Sequence, residues 1–296
     1  MKMTRTLNIT ILTLAGFALP VTGRCQIYVV NWGNGTIGEY TTAGATVNAT
    51  LVSGLSTPTG IAVSGGNIFV ANGNSGTIGQ YTTSGATVNA SLISGLNGPS
   101  GLAVSGGNIY VANIRSGTIG EYTTSGATVN ASLVSGLNIP TGLAVSGGNL
   151  YVENNGSGTI GEYTTSGATV NASLISGLVN PVSLAVSGGN IYVANGNSYT
   201  IGEYTTAGAT VNSLLISGLN NPVGIAVSGG NIYVANAFGG TIGEYTLSGA
   251  TVNASLISGL YSLQSLDVET VPEPTTFGLL GLPLAMTAVR RLRRKA

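Results

Sequence analysis

One segment, T-I-G-[EQ]-Y, recurs with its tyrosine at Tyr40, Tyr81, Tyr122, Tyr163, Tyr204 and Tyr245, a constant spacing of 41 residues without insertion or deletion. A fixed period of this length marks an array of identical supersecondary units, so the unit decides the architecture. Each unit holds four short runs rich in Val, Ile, Thr and Tyr, at 60–63, 67–71, 77–81 and 86–93 in the second copy, and Gly, Asn and Ser separate them. Such runs read as strands and are too short for helices. Ser64-Gly65-Gly66-Asn67 and Thr83-Ser84-Gly85 supply the positive φ that tight hairpins need. Four antiparallel strands per unit make one propeller blade.

The two ends of the array choose between a closed ring and an open stack. The chain enters the array at Ile27-Tyr28-Val29, which matches the second strand of a unit, and leaves through Ser265-Leu266-Asp267-Val268, which matches the first. One blade is therefore expected to combine three N-terminal strands with one C-terminal strand, closing the ring by hydrogen bonds. A right-handed β-solenoid is the rival for a Gly/Asn/Thr/Val-rich repeat, but it gives no reason to divide one repeat between the termini and calls for atypical capping repeats. The expectation is an all-β, six-bladed β-propeller of 41-residue four-stranded repeats over residues 26–270.

The run Pro222-Val223-Gly224-Ile225-Ala226-Val227-Ser228-Gly229-Gly230-Asn231-Ile232-Tyr233-Val234-Ala235-Asn236 resembles the NHL-type propeller repeat, P-x-G-I-A-V-D-x-x-G-N-I-Y-V-A-D. Both aspartates of that pattern are replaced, by Ser228 and Asn236 and their counterparts, so the resemblance implies a fold and carries over no acidic ligand or catalytic residue.

Charge is segregated along the chain. Eight of the nine acids lie in the repeats and eight of the nine bases in the terminal segments, so the array has one arginine, Arg115, against eight carboxylates. That balance argues against a nucleic-acid partner, which demands a basic face. With no histidine anywhere and Cys25 as the single cysteine, Ser/His/Asp and Cys/His catalysis and His- or Cys-based zinc sites are excluded.

Residues 1–25 carry Lys2 and Arg5 ahead of an apolar run from Ile9 to Leu19 and small residues Gly23 and Cys25 before Gln26, the pattern of a secretory signal peptide removed together with Cys25. Residues 271–296 carry Val271-Pro272-Glu273-Pro274, an apolar run from Phe277 to Val289 and the basic residues Arg290, Arg291, Arg293, Arg294 and Lys295. The apolar run is shorter than a stable membrane span, and the basic cluster would keep the tail on the cytoplasmic side. This tail resembles the PEP-CTERM sorting signal of Gram-negative bacteria, with its V-P-E-P motif, short hydrophobic helix and arginine cluster in the same order. The resemblance implies processing by an exosortase-type enzyme, transient inner-membrane anchoring as a short transmembrane helix, and delivery to the cell surface, extracellular matrix or biofilm.

Candidate sites come from the places where the repeats differ. Inner-strand positions that hold metal ligands in gluconolactonase-type propeller hydrolases are here Ala62, Ala103, Ala144, Ala185 and Ala226. Asp267 alone breaks that ring and is the weak candidate for a cation, or a polar residue tolerated at the seam. Glu39, Gln80, Glu121, Glu162, Glu203 and Glu244 recur at one place per blade and read as a solvated acidic belt. The N-A-S segments at Asn89, Asn130, Asn171 and Asn253 fit a glycosylation acceptor pattern but read as parts of the fourth strand.

Variation concentrates after the second strand and before the first, two connections that emerge on one face of an up-and-down blade. Trp32, Arg115, Tyr199 and Phe238 are thereby predicted to share a rim suited to stacking on sugar rings. The expected function is that of an exported, non-enzymatic, structural or adhesive protein associated with extracellular polysaccharide, without cofactor. The alternative is a metal-dependent lactonase or related hydrolase centred on Asp267.

Overall fold

A computed structural model describes residues Cys25–Thr270. The expected signal peptide and the V-P-E-P tail with its basic cluster lie outside these residues. The described chain forms six four-stranded antiparallel sheets. Blade 1 contains residues 25–52 and the closing strand Leu263–Thr270; blades 2 to 6 contain residues 58–93, 99–134, 140–175, 181–216 and 222–257. In blade 2 the strands are Pro58–Ser64, Asn67–Asn72, Thr77–Thr82 and Thr87–Ile93, counted from the axis outward. Among the described residues there is no helix.

Closure follows the expectation: the closing strand pairs with Cys25–Asn31, from Cys25 opposite Thr270 to Asn31 opposite Leu263. The first and second strands of the other blades are joined by a Gly-Gly turn with both residues at positive φ, as at Gly65 (57°) and Gly66 (74°).

An apolar layer fills each junction between neighbouring blades. Between blades 1 and 2 it contains Tyr28, Val30, Ile37 and Val52 from one side and Ile61, Ile68, Val70 and Tyr81 from the other. The period-41 tyrosine therefore belongs to an inter-blade core, which is why it never varies. Its glycine is fixed by the same packing: a Cβ on Gly161 would stand 2.8 Å from both Cε2 and the hydroxyl of Tyr163, two residues on along the same face. Gly161→Ala is expected to push the ring out of its layer and cost about 1–3 kcal/mol. Urea denaturation tests this as a lower midpoint with unchanged slope.

The fourth strands are exposed along most of their length, and their edges are blunted by irregularity rather than by charge. In blade 2 the register shifts twice, between Ile78 and Gln80 and between Gln80 and Tyr81. At the bulge Asn89 turns its Oδ1 back on the Ser91 N–H at 3.0 Å, and the corresponding asparagines of the other blades do likewise. Bulged edges whose amides are satisfied locally are poor templates for pairing with another chain. The N-A-S segments accordingly lie in the fourth strands, as expected.

Candidate binding cleft on the variable rim

The two variable connections of each junction are tied together by one repeated hydrogen bond. The carbonyls of Thr57, Gly98, Ile139, Asn180, Asn221 and Ser262 accept from the N–H groups of Gly73, Ile114, Asn155, Gly196, Ala237 and Trp32. All six accepting residues sit at positive φ, between 50° and 70°, although only one is glycine. A fixed left-handed backbone thus presents a changing side chain at the same place around the rim.

Exposed apolar side chains are distributed unevenly. Among the described residues, those outside the fourth strands are Trp32, Ile139, Val179, Tyr199, Phe238 and Tyr261, and every one lies on the variable rim. Three of them converge: Trp32, Phe238 and Tyr261 line one cleft of about 430 Å³ at the junction of blades 6 and 1, together with Ser262 and Gln264. Trp32 is 48% exposed, Phe238 72% and Tyr261 68%, so the rings are presented to solvent rather than packed. The Tyr261 ring lies against Gly33, where a Cβ would approach its Cε1 to 3.0 Å. Exposed ring faces beside an amide and a hydroxyl match the chemistry of a pyranose, which is apolar on its faces and polar at its edges.

Two of the four rim residues read from the sequence are brought together here, Trp32 and Phe238. Arg115 and Tyr199 are exposed on the rim but do not line the cleft. The Arg115 stem packs over Gly98, while its neighbour Ile114 reaches the mouth of the central channel. Tyr199 sits at φ 58°, where blades 1 to 4 and blade 6 have glycine at 58–64°. Tyr199→Gly is expected to stabilise the fold by about 0.5–1 kcal/mol, the left-handed strain relieved less the entropy of the added glycine. Thermal unfolding of the variant tests this. Tyr261 was missed because it lies in the last connection, at the divided repeat, where a comparison of whole units does not reach.

The inner strands line a second cavity of about 430 Å³ along the axis, where Ala62, Ala103, Ala144, Ala185 and Ala226 form the wall with Asp267. The Asp267 carboxylate is taken up by the fold: Oδ2 accepts from the Val63 N–H of blade 2 at 2.7 Å and Oδ1 from its own Val268 N–H at 2.8 Å. Loss of hydration at the channel wall is the main cause that raises its pKa to about 6. Two amide donors on one carboxylate make it a latch between blades, where a cation site would gather oxygen acceptors. Among the described residues no three Asp, Glu or Cys side chains cluster as metal ligands.

The acidic belt requires correction. Glu121, Glu162, Glu203 and Glu244 are buried. Each accepts through Oε1 from an asparagine of the neighbouring strand, as Asn108 Nδ2 does at 2.7 Å, and from a tyrosine hydroxyl, as Tyr110 does at 3.3 Å. In blade 6 burial first, and then the Glu244 charge, push the Tyr233 hydroxyl up to about 12. Blade 2 shows the logic by exception. Where the glutamate becomes Gln80, the tyrosine becomes Phe69, and the amide instead donates to Asn67 Oδ1 at 3.0 Å. These groups are structural acceptors that the strand pairing folds inward.

One of the eight acidic positions of the repeats was overlooked. Glu153 stands where blades 2, 3, 5 and 6 have alanine and blade 1 has Val30, and it is fully buried between blades 4 and 5. Oε2 accepts from the Thr141 hydroxyl at 3.0 Å, Oε1 has no partner, and burial pushes the carboxyl up to about 8. The repeat alignment itself carried the signal, V-E-N against V-A-N.

The ring and its rim define the class of this chain: a six-bladed β-propeller. No family model matches it, and no curated protein does. Solved structures do. A chain of the nidogen/laminin complex superposes with a TM-score of 0.71 at 15% identity, covering 84% of this chain and 99% of that one. A catalytically inactive virginiamycin B lyase from Staphylococcus aureus, solved with quinupristin, gives 0.61 at 16% identity over 81% and 86% of the two chains. A streptogramin B lyase gives 0.64 at 17% identity over 87% and 93%. Likeness at this identity extends to the fold alone, and propeller folds host both binding proteins and enzymes.

Proposed function

We propose that this chain is an exported, non-enzymatic propeller of the cell surface or extracellular matrix that binds polysaccharide through its rim cleft. The convergence of Trp32, Phe238 and Tyr261 in one solvent-open cleft is the observation that carries the reading. Exposed aromatic clusters are costly on a soluble protein without a partner, and three rings with an adjacent amide suit a neutral sugar chain. Export rests on the basic-apolar leader of residues 1–25. Sorting rests on the resemblance of Val271-Pro272-Glu273-Pro274 and the arginine-rich end to the PEP-CTERM signal, with an exosortase-type enzyme of a Gram-negative host as the processing partner.

Intact mass of the protein recovered separately from membrane and extracellular-polymer fractions tests this reading. The expected result is a product that starts near Gln26, ends near residues 272–275 and is enriched in the polymer fraction. Full-length chain confined to membranes, or no protein in the polymer, would remove the matrix role.

A further inference from the structure

The aromatic cleft is assembled across the joint at which the ring is closed. Trp32 follows directly on the N-terminal strand Cys25–Asn31, whereas Tyr261 and Ser262 lead into the closing strand Leu263–Thr270, which contributes Gln264. Phe238 comes from blade 6. In the other blades the first and second strands are joined by a two-residue turn, but here the two partners are held only by what forms between them. At the cleft end the ladder has the register shift that every blade shows between its first two strands, here between Val30 and Asn31, and the Trp32 N–H reaches the Ser262 carbonyl at 2.9 Å, as at the other junctions. Further down, Asp267 and Glu269 of the closing strand accept backbone N–H groups of blade 2, those of Val63 at 2.7 Å and Gly66 at 3.3 Å. The strand is thus latched to blade 2 away from the cleft, and among the described residues no such side-chain hydrogen bond holds Leu263, Gln264 or Ser265 at its cleft end.

We infer that occupation of the cleft is coupled to closure of the ring: a saccharide stacked between Trp32 on one side and Phe238 and Tyr261 on the other bridges the seam and holds the closing strand in place. The inference rests on the saccharide reading above. Linkage makes the effect reciprocal, so a weakened seam weakens binding by the same factor. A ligand at ten times its Kd lowers the opened population about 11-fold if only the closed ring binds it.

The test uses the full chain and cellohexaose, a neutral β-linked hexasaccharide. Trp32 is the single tryptophan, so its emission reports the cleft directly. Hydrogen exchange at residues 25–32 and 263–270 is compared with that at residues 140–175, an interior blade. Saturable Trp32 quenching is expected, with seam exchange slowed about tenfold at ten times Kd and blade 4 unchanged. Asp267→Ala, which touches no part of the cleft and restores the alanine of the other blades, is expected to weaken binding several-fold. Saturable binding with seam exchange unchanged, or slowed equally in blade 4, overturns the coupling and leaves the saccharide reading standing. An Asp267→Ala protein that binds as tightly as wild type does the same. No Trp32 response to cellohexaose removes the saccharide reading, and the coupling with it.

Discussion

Replacing Glu153 by alanine is expected to stabilise the propeller in alkaline solution, by about 2–3 kcal/mol at pH 9. The side chain is fully buried between blades 4 and 5, in a layer that otherwise contains Ile160, Leu184, Ile191, Val193 and the neutral phenols Tyr151 and Tyr204. The folded carboxyl holds its proton until about pH 8, whereas an unperturbed one releases it near 4.5. Between those values the folded state binds more protons than the unfolded chain, so this residue's contribution to stability falls as pH rises through the window and levels off above it. The full shift corresponds to about 4–5 kcal/mol, and relaxation and water entry around a buried carboxylate reduce it to the smaller figure. A chain of this size should gain about 4–12 °C in Tm at pH 9 and much less at pH 4. Measuring the wild-type-to-variant difference across pH separates Glu153 from Asp267, which titrates near 6 in both proteins. Equal Tm values at pH 9 would mean that Glu153 is charged and compensated.

Removing two of the cleft's rings is expected to cost about 30- to 100-fold in affinity for a neutral oligosaccharide. A stacked aromatic is worth about 1–1.5 kcal/mol, and each 1.4 kcal/mol is a factor of ten. Trp32→Ala combined with Phe238→Ala removes two of the three rings that line the cleft, and both are solvent-exposed, so the fold should survive with its Tm little changed. Arg115→Ala and Tyr199→Ala, elsewhere on the rim, should bind within about twofold of wild type. Isothermal titration with cellohexaose checks the four proteins together. An equal loss in the Arg115 variant would move the site off the seam and onto the rim as a whole.

The architecture was legible because one unit is written six times and divided between the two ends. The 41-residue period, the Gly-Gly turns and the match of Ser265–Val268 to a first strand specify the blades, and the pairing of Cys25–Asn31 with Leu263–Thr270 completes them as expected. Side-chain environment was harder to read. Glu121 and its counterparts look like surface charges in a polar motif, and their burial depends on an asparagine and a tyrosine 13 and 11 residues away that reach them only across the strand pair. The joint change to Phe69 and Gln80 was the available clue. Glu153 could be seen as a departure from alanine, but its orphaned oxygen depends on how closely blades 4 and 5 pack. On the rim, the sequence placed Trp32 and Phe238 on one face, yet only ring closure brings Tyr261 to meet them.

Titrating extracellular polysaccharide purified from the producing organism against Trp32 emission, in wild type and in Phe238→Ala/Tyr261→Ala, would decide the matter. Saturable quenching in the wild type, lost in the variant that keeps its tryptophan and its fold, is the result expected of a seam cleft that binds matrix sugar. A flat titration in the wild type, or the same quenching in both proteins, would contradict it.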